Sequence, residues 1–222
     1  MILEKQQWKE EKEILFLVLR MRGYRLIKRG FDVVAASALL CVLWPAIFAI
    51  AVAVKLDSKG PAFFVHTRIG MNRQPFKLYK FRTMVSNAEE IKASFSNEQL
   101  REWNENYKLV SDPRITHLGH FLRRSSLDEL PQLFNVIRGD ISLVGPRPVV
   151  EEELKKYGAF EQKFLSVIPG LTGYWQAYAR NDCTYEKRIQ MELYYIDHAS
   201  FWFDLKILVK TVGRVLSQKG AM

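Results

Sequence analysis

Two adjacent carboxylates, Asp128 and Glu129, lie in the segment SSLDELPQLFN. Of all segments in the chain, this one most clearly suggests a chemical role. Ser126 and Glu129 have the spacing of a capping box at a helix N-terminus. Pro131 requires that this helix begins slightly later or that its first turn is irregular. Either arrangement places the acidic pair near unpaired backbone N–H groups, which bind phosphate and keep a carboxylate ionised. Acidic residues are ordinary in a first helical turn, so the pair alone would indicate only helix capping.

Basic side chains around the acidic pair make a chemical role more specific. Arg123 lies just upstream, and Arg147 lies between two prolines in the motif GPRP, which restrict its backbone. The planar guanidinium group suits phosphate oxygens. Further cationic donors are expected on a predicted hairpin, at Arg68, Lys80 and Arg82. Any one of them could be a solvated surface charge, but together they predict a phosphate-rich site with a carboxylate at its centre.

This combination suits phosphoryl chemistry. A carboxylate nucleophile could attack a phosphoryl group and form an acyl phosphate. The second carboxylate could hold Mg²⁺, which prefers hard oxygen ligands and shares them with substrate phosphates. The metal ion and the arginines would then offset charge on a pyrophosphate and on its departing group.

The overall composition favours a folded domain with an anionic partner. The chain has 222 residues, enough for one domain with a real core, and 48% of them are hydrophobic. Lys and Arg outnumber Asp and Glu by 33 to 24, a formal net charge of +9. That excess suits nucleic acid, a lipid headgroup surface or phosphorylated substrates, and charge alone does not choose among them.

A long apolar segment indicates contact with a membrane. Residues Val33 to Val54 contain no charged residue, and this length suits a bilayer-spanning helix. Pro45 lies near the middle and should kink the helix. Basic residues flank both ends, and such flanks prefer the cytoplasmic side. A helix that breaks at Pro45 and returns to the same face satisfies both flanks, whereas a tilted span with a proline kink remains the alternative.

The other periodicities predict a mostly α fold with a small β-hairpin or sheet. We expect a hairpin at 62–81, a surface helix in 86–110, a helix at 126–138, a strand at ISLVG, helices at 149–166 and 184–198, and a loop at IPGLTGYWQAYARND. The C-terminal segment SFWFDLKILVKTVGRVL predicts a basic amphipathic helix, which could lie in a membrane interface or pack on a soluble core. The predicted boundaries are an N-terminal amphipathic extension at 1–27, a membrane hairpin at 28–56 and a catalytic domain at 57–222.

The ordered motifs KRGFD, YKFRTM, DPRITHLGHFLRRSSLDELPQLFNVIRGDISLVGPRP and PGLTGYWQ closely resemble the bacterial sugar transferase family, the monotopic phosphoglycosyl transferases. The resemblance runs from about Lys28 to the C-terminus. It implies a re-entrant membrane helix on the cytosolic face of the bacterial inner membrane. It also implies a ping-pong reaction in which Asp128 attacks the β-phosphate of a UDP-sugar and releases UMP. Polyprenyl phosphate then accepts the phosphosugar, as the first membrane step of capsule, exopolysaccharide or O-antigen synthesis.

The resemblance also assigns site residues. Glu129 matches the second acid of the pair, associated with Mg²⁺, while Arg123 and Arg147 match positions associated with phosphate and nucleotide handling. One departure is Trp44, which precedes the breaking proline where a serine is frequent in the family. Serine can bond the freed backbone, whereas tryptophan offers only a bulky ring with one N–H. The break at Pro45 therefore needs other hydrogen-bonding partners.

Two other functions were weighed against this one. A membrane-tethered nucleic-acid binder would suit the charge of +9, but it has no use for paired carboxylates or a proline-fixed arginine. A non-catalytic scaffold of polysaccharide assembly would retain the fold without turnover, and the intact acidic pair argues against it. We therefore expect a UDP-sugar, polyprenyl phosphate and the inner membrane leaflet as partners, no nucleic acid, and a possible homo-oligomer.

Overall fold

The computed structural model describes residues 2–106, 109, 111–179 and 183–217. Most of these residues are helical, and two small sheets accompany the helices, which confirms the predicted fold class in its coarse form. In chain order, the elements are α1 (Ile2–Asp57), β1 (Phe63–Ile69), β2 (Pro75–Phe81), α2 (Ala88–Ala93), α3 (Asn97–Asn106), α4 (His117–Ser125), α5 (Gln132–Arg138), β3 (Ser142–Val144), α6 (Glu151–Leu154), α7 (Glu161–Phe164), β4 (Gly170–Thr172), α8 (Tyr174–Tyr178), α9 (Tyr185–His198) and α10 (Phe201–Ser217). Short 3-10 turns lie at Met71–Arg73, Leu127–Glu129 and Lys155–Phe160. The elements from β1 to α10 are called the globular part below.

Helix α1 carries the apolar segment, and the stretch Gly23–Asp57 is long and apolar enough to cross a membrane by length and composition. The helix continues through Pro45 without the interruption that the re-entrant prediction expects there. A proline removes one hydrogen bond and can bend a helix without ending it. The re-entrant topology therefore stays a prediction. One stripe of α1 packs on the globular part, at Asp32, Ala36, Leu40, Ile47, Ile50 and Val54. The opposite face exposes large apolar side chains, among them Val34, Val42, Trp44, Phe48 and Val52.

The motif KRGFD fixes the start of the apolar stretch to the globular part. The ammonium group of Lys28 lies 2.6 Å from a carboxylate oxygen of Asp204 in α10. Arg29 donates to the backbone carbonyls of Val136 and Ile137 in the last turn of α5. Asp32 accepts a hydrogen bond of 3.1 Å from the backbone N–H of Leu143. This motif therefore serves as a polar docking point between α1 and the globular part.

The far end of the apolar stretch is fixed to the same globular part. Val54 is buried against Phe81 and Leu122, together with neighbouring apolar side chains. The guanidinium group of Arg82 donates three hydrogen bonds of 2.6–3.1 Å to the backbone carbonyls of Val54, in the last turn of α1, and of Ser58 and Lys59, just after it. Both ends of the apolar stretch thus contact one folded body.

Strands β1 and β2 form the predicted hairpin. They pair antiparallel in a register that runs from Phe63 opposite Phe81 to Ile69 opposite Pro75. The outer edge of β2 is held by Asn135 of α5, whose side chain accepts from the N–H of Tyr79 at 3.0 Å. The same amide group donates to a β2 carbonyl at 2.7 Å. Asn135 is fully buried, so these bonds fix the hairpin against the helix that follows the acidic pair.

The segment predicted as one helix at 126–138 is divided. Ser126 has a φ of 58° and ends α4, with no capping hydrogen bond from its side chain, so the predicted capping box at its position is wrong. A 3-10 turn then carries the acidic pair, and Pro131 directly precedes α5. Gly139 ends α5 with a φ of 89°, as predicted for its C-cap. Of the two arrangements expected from Pro131, the structure has the later helix start, since α5 begins at Gln132 after the separate 3-10 turn.

Strand β3 pairs parallel with β4, within the segment that was predicted to be a loop. That prediction is wrong for 170–178, where β4 and α8 lie. The backbones approach so closely that a Cβ on Gly170 would lie 2.0 Å from the nitrogen of Gly145. The segment predicted as a helix at 149–166 is broken into α6, a 3-10 turn and α7, whereas the helix at 184–198 is confirmed as α9. The carboxyl ends of β3 and β4 consequently present GPRP and GYWQ at one edge.

Candidate active site

The 3-10 turn between α4 and α5 places Asp128 at the centre of the site. Its side chain is buried, with 8% of the residue exposed. Burial and the neighbouring Glu129 raise the pKa of Asp128 to about 6, although Lys80 and Arg123 oppose the rise. A desolvated carboxylate beside two cations has the environment typical of a functional group, because its charge is weakly solvated.

Glu129 lies in a contrasting environment. Lys80 of β2 approaches it with an ammonium-to-carboxylate distance of 2.7 Å. Burial acts to raise the pKa of Glu129, but Lys80, Arg147 and a hydrogen bond from Gln132 outweigh it and hold that pKa below its usual value. The two adjacent carboxylates therefore have pKa values displaced in opposite directions. Such a difference is typical of a pair in which one group reacts and the other remains ionised.

Arg123 reaches the acidic pair from the last turn of α4. Its Nε donates to the hydroxyl of Thr83 at 2.9 Å. Burial lowers the pKa of Arg123, and the nearby carboxylate of Asp128 acts against this. Thr83 also accepts the backbone N–H of Thr116 at 3.0 Å, so it connects the end of the hairpin to the start of α4. This arrangement holds the guanidinium group near the carboxylate of Asp128.

Arg147 and Arg68 form the basic end of the site. The backbone N–H of Arg147 donates to Glu192 at 3.2 Å, and its guanidinium carbon lies 5.9 Å from the centre of the Trp175 ring. Arg68 donates to Glu153 at 3.3 Å. Burial and the positive charge of Arg147 lower the pKa of Arg68 to about 10. Two cations held this close favour an anionic ligand between them.

Arg82 has a different role from the predicted contact with phosphate. Its two terminal nitrogens are used by the carbonyls at the end of α1, and the residue is buried. The side chain therefore points away from the acidic pair and neutralises the negative end of the α1 dipole. The structure brings together Asp128, Glu129, Lys80, Arg123 and Arg147, with Arg68 beside them.

Sequence reasoning missed a buried ionic cluster behind Arg147. Arg188 of α9 lies 3.5 Å from Glu153 and 3.4 Å from Glu192, and the hydroxyl of Tyr157 donates to Glu192. The i,i+4 spacing of Arg188 and Glu192 was the available signal, but the same spacing is common on solvated helix faces. Because Glu192 of this cluster accepts the backbone N–H of Arg147, the cluster holds the GPRP loop in place.

Mg²⁺ fits the chemistry of the acidic pair. Among the described residues, no group of three or more His, Cys, Asp and Glu side chains is placed to hold a metal ion. Mg²⁺ commonly binds through one or two carboxylates and completes its shell with water and substrate phosphates. Asp128 and Glu129 supply that donor set, so they would hold the ion together with a bound pyrophosphate.

Comparisons with known proteins agree with the motifs. The profile of the bacterial sugar transferase family matches residues 23–218. The chain is 45% identical over 210 residues to the UDP-galactose-lipid carrier transferase of Erwinia amylovora, an alignment that covers 91% of this chain and 43% of that protein. It is 43% identical over 206 residues to the undecaprenyl-phosphate galactose phosphotransferase of Salmonella typhimurium, with coverage of 91% and 43%. It is 44% identical over 199 residues to the exopolysaccharide production protein ExoY of Rhizobium meliloti, with 88% of each chain covered.

The chain thus spans less than half the length of the first two relatives and most of the third. The matched region includes every element that forms the site, from the apolar stretch of α1 to α10. On the extent of the profile match and the level of identity, this chain belongs to the bacterial sugar transferase family.

Proposed function

We propose that this protein transfers a hexose-1-phosphate from a UDP-sugar to a polyprenyl phosphate and releases UMP. The observation that carries the proposal is the buried carboxylate of Asp128, whose pKa is raised, beside an ionised Glu129 and several cations. Relatives bear the names undecaprenyl-phosphate galactose phosphotransferase and UDP-glucose:undecaprenyl-phosphate glucose-1-phosphate transferase. The ExoY relative favours a place in exopolysaccharide synthesis, and a capsule or O-antigen pathway has the same chemistry.

The first half-reaction uses Asp128 as the nucleophile. An ionised carboxylate oxygen attacks the β-phosphorus of the donor, and the bond from that phosphorus to the bridging oxygen breaks. UMP departs with the bridging oxygen and its electron pair, leaving an aspartyl-phosphosugar. Arg147 and Arg68 would stabilise the charge on the departing phosphate, while Arg123 would hold the phosphoryl group in line with Asp128.

The second half-reaction restores the enzyme. A phosphate oxygen of the polyprenyl acceptor attacks the same phosphorus, and the acyl phosphate bond to Asp128 breaks. The carboxylate is regenerated and the product is a polyprenyl-diphospho-sugar. Lys80 keeps Glu129 in place through both steps by its 2.7 Å contact. A bound Mg²⁺ would supply neutralising charge to the phosphate oxygens.

Contacts at both ends of the apolar stretch support a position of these two ends on a single membrane face. The distance from Asp32 to Val54 would be about 33 Å in a straight helix, similar to the hydrocarbon thickness of a bilayer. A full crossing would separate these two positions, yet both pack on one globular part. We infer that both ends of α1 lie at the cytosolic face, where α10 would lie in the interface with Trp202 and Val209 exposed. The re-entry that the family resemblance implies would require a sharp bend at Pro45, where α1 is continuous in this structure.

The decisive experiment measures UMP release from a panel of UDP-sugars with undecaprenyl phosphate and Mg²⁺. The wild type is compared with Asp128→Asn and with Asp57→Asn, a control at an exposed carboxylate at the end of α1. We expect release with one sugar, loss of release in Asp128→Asn, and no change in Asp57→Asn. Intact-protein mass measured without acceptor should show a hexosyl phosphate on the wild type and on Asp57→Asn, and none on Asp128→Asn. Release that survives in Asp128→Asn would contradict the assignment of the nucleophile.

A further inference from the structure

The hairpin forms one wall of the site, and its cross-strand register identifies which side chains line that wall. Phe64 lies directly opposite Lys80 in the pairing of β1 with β2. Directly opposed residues in an antiparallel pair project from the same face. Since Lys80 reaches Glu129 at 2.7 Å, the face that carries Phe64 is the face that borders the acidic pair. The ring of Phe64 is nevertheless half exposed, with 50% of the residue accessible.

The hairpin has an apolar end and a polar end. At the end near Phe64, the N–H of Arg82 bonds to the carbonyl of Ala62, and the guanidinium group of Arg82 holds the end of α1. Arg68 lies four residues farther along β1, about 13 Å away, and belongs to the basic end with Arg147. The wall that borders the acidic pair therefore has basic side chains at one end and the exposed ring of Phe64 at the other.

We propose that the exposed ring of Phe64 binds the first isoprene units of the acceptor and so delivers its phosphate to Lys80 and Asp128. This inference rests on the proposed function and assigns an acceptor subsite to it. An exposed apolar ring opposite an ammonium group is complementary to an amphiphile with an anionic head and a hydrocarbon chain. The neighbouring Phe63 stacks on Phe81, and Phe81 packs against Val54 near the end of the apolar stretch of α1, from which a membrane-embedded chain would approach. The nucleotide would occupy the opposite, basic end of the site.

Separate assays of the two half-reactions test this subsite. UMP released in a single burst without acceptor reports the donor step, and turnover at varied undecaprenyl phosphate gives the acceptor KM. The variants are Phe64→Ser, Phe64→Leu and Val65→Ser. Val65 is the matched control, because it is 45% exposed on the same strand and projects from the opposite face.

We expect Phe64→Ser to raise the acceptor KM about tenfold, equivalent to about 1.4 kcal/mol of lost binding. Its UMP burst should match the wild type. Phe64→Leu should restore the acceptor KM, while Val65→Ser should leave it unchanged. Equal acceptor KM values for the two serine variants would overturn the inference, as would a weaker UMP burst in Phe64→Ser. The absence of a burst in the wild type would instead overturn the proposed function and this inference with it.

Discussion

The ionised carboxylate of Asp128 should destabilise the folded state at neutral pH. The change Asp128→Asn should therefore stabilise the protein while it abolishes UMP release. The pKa of this carboxyl is raised from 3.8 to about 6. Each pKa unit corresponds to about 1.4 kcal/mol, so ionising Asp128 in the folded state costs about 3 kcal/mol. The amide of asparagine has a similar shape and carries no charge, so it removes that cost.

The size of this effect depends on pH. Below about pH 4, both the folded and the unfolded states hold the proton and the charge has no effect on stability. As pH rises from about 4 to 6, the unfolded state ionises first and the folded state loses stability. Above about pH 6 the cost is complete. The advantage of Asp128→Asn should therefore be largest at pH 7.5 and smaller at pH 5.

Thermal unfolding in lipid nanodiscs with a metal chelator measures this difference. For a chain of this size, about 3 kcal/mol corresponds to a rise in Tm of about 6–12 °C. Glu129→Gln is the matched comparison, because the pKa of Glu129 is held below its usual value and its ionised form stabilises the fold. That variant should have a lower Tm at pH 7.5. An unchanged Tm for Asp128→Asn, or an equal gain at pH 5 and pH 7.5, would refute this account of the acidic pair.

Three further outcomes are expected. Thr83→Val removes the hydroxyl that accepts from Arg123, so kcat of the UMP-release step should fall about tenfold with little change in Tm, as stopped-flow and thermal unfolding would show. Arg82→Met removes the three hydrogen bonds to backbone carbonyls at the end of α1. The free energy of unfolding should therefore fall by at least about 2 kcal/mol. The KM for the UDP-sugar should stay near that of the wild type. The rate of UMP release in the absence of saturating metal should fall as pH drops below about 6, because Asp128 must be ionised to attack, and added Mg²⁺ should move that midpoint to lower pH.

The sequence predicted the parts of the fold that have strong local signals. Two aromatic-rich runs around a polar turn indicated the hairpin. Gly139 was correctly placed at a helix end, where glycine adopts the positive φ because it has no Cβ. The proximity of Arg123 and Arg147 to the acidic pair also agrees with the interpretation of the motifs.

The remaining features depend on contacts that no local pattern carries. Arg82 resembled a phosphate ligand because it follows Lys80 by two residues, and only the path of α1 shows that its donors meet backbone carbonyls. Strand β4 has three residues, too few for a periodicity, and it pairs with a strand distant in sequence. Ser126 adopts a left-handed conformation because it must end one helix and begin the acidic turn at once.

The bonds from Arg82 to the end of α1 have a consequence for where the reaction takes place. Lys80, which pairs with Glu129, and Arg82, which bonds to the end of α1, are two residues apart at the end of β2. The acidic pair and the end of α1 therefore cannot move independently. In the proposed membrane arrangement, this linkage fixes the distance between Asp128 and the hydrocarbon boundary. The acceptor phosphate would then meet the nucleophile at headgroup level, and its hydrocarbon chain would not have to leave the bilayer.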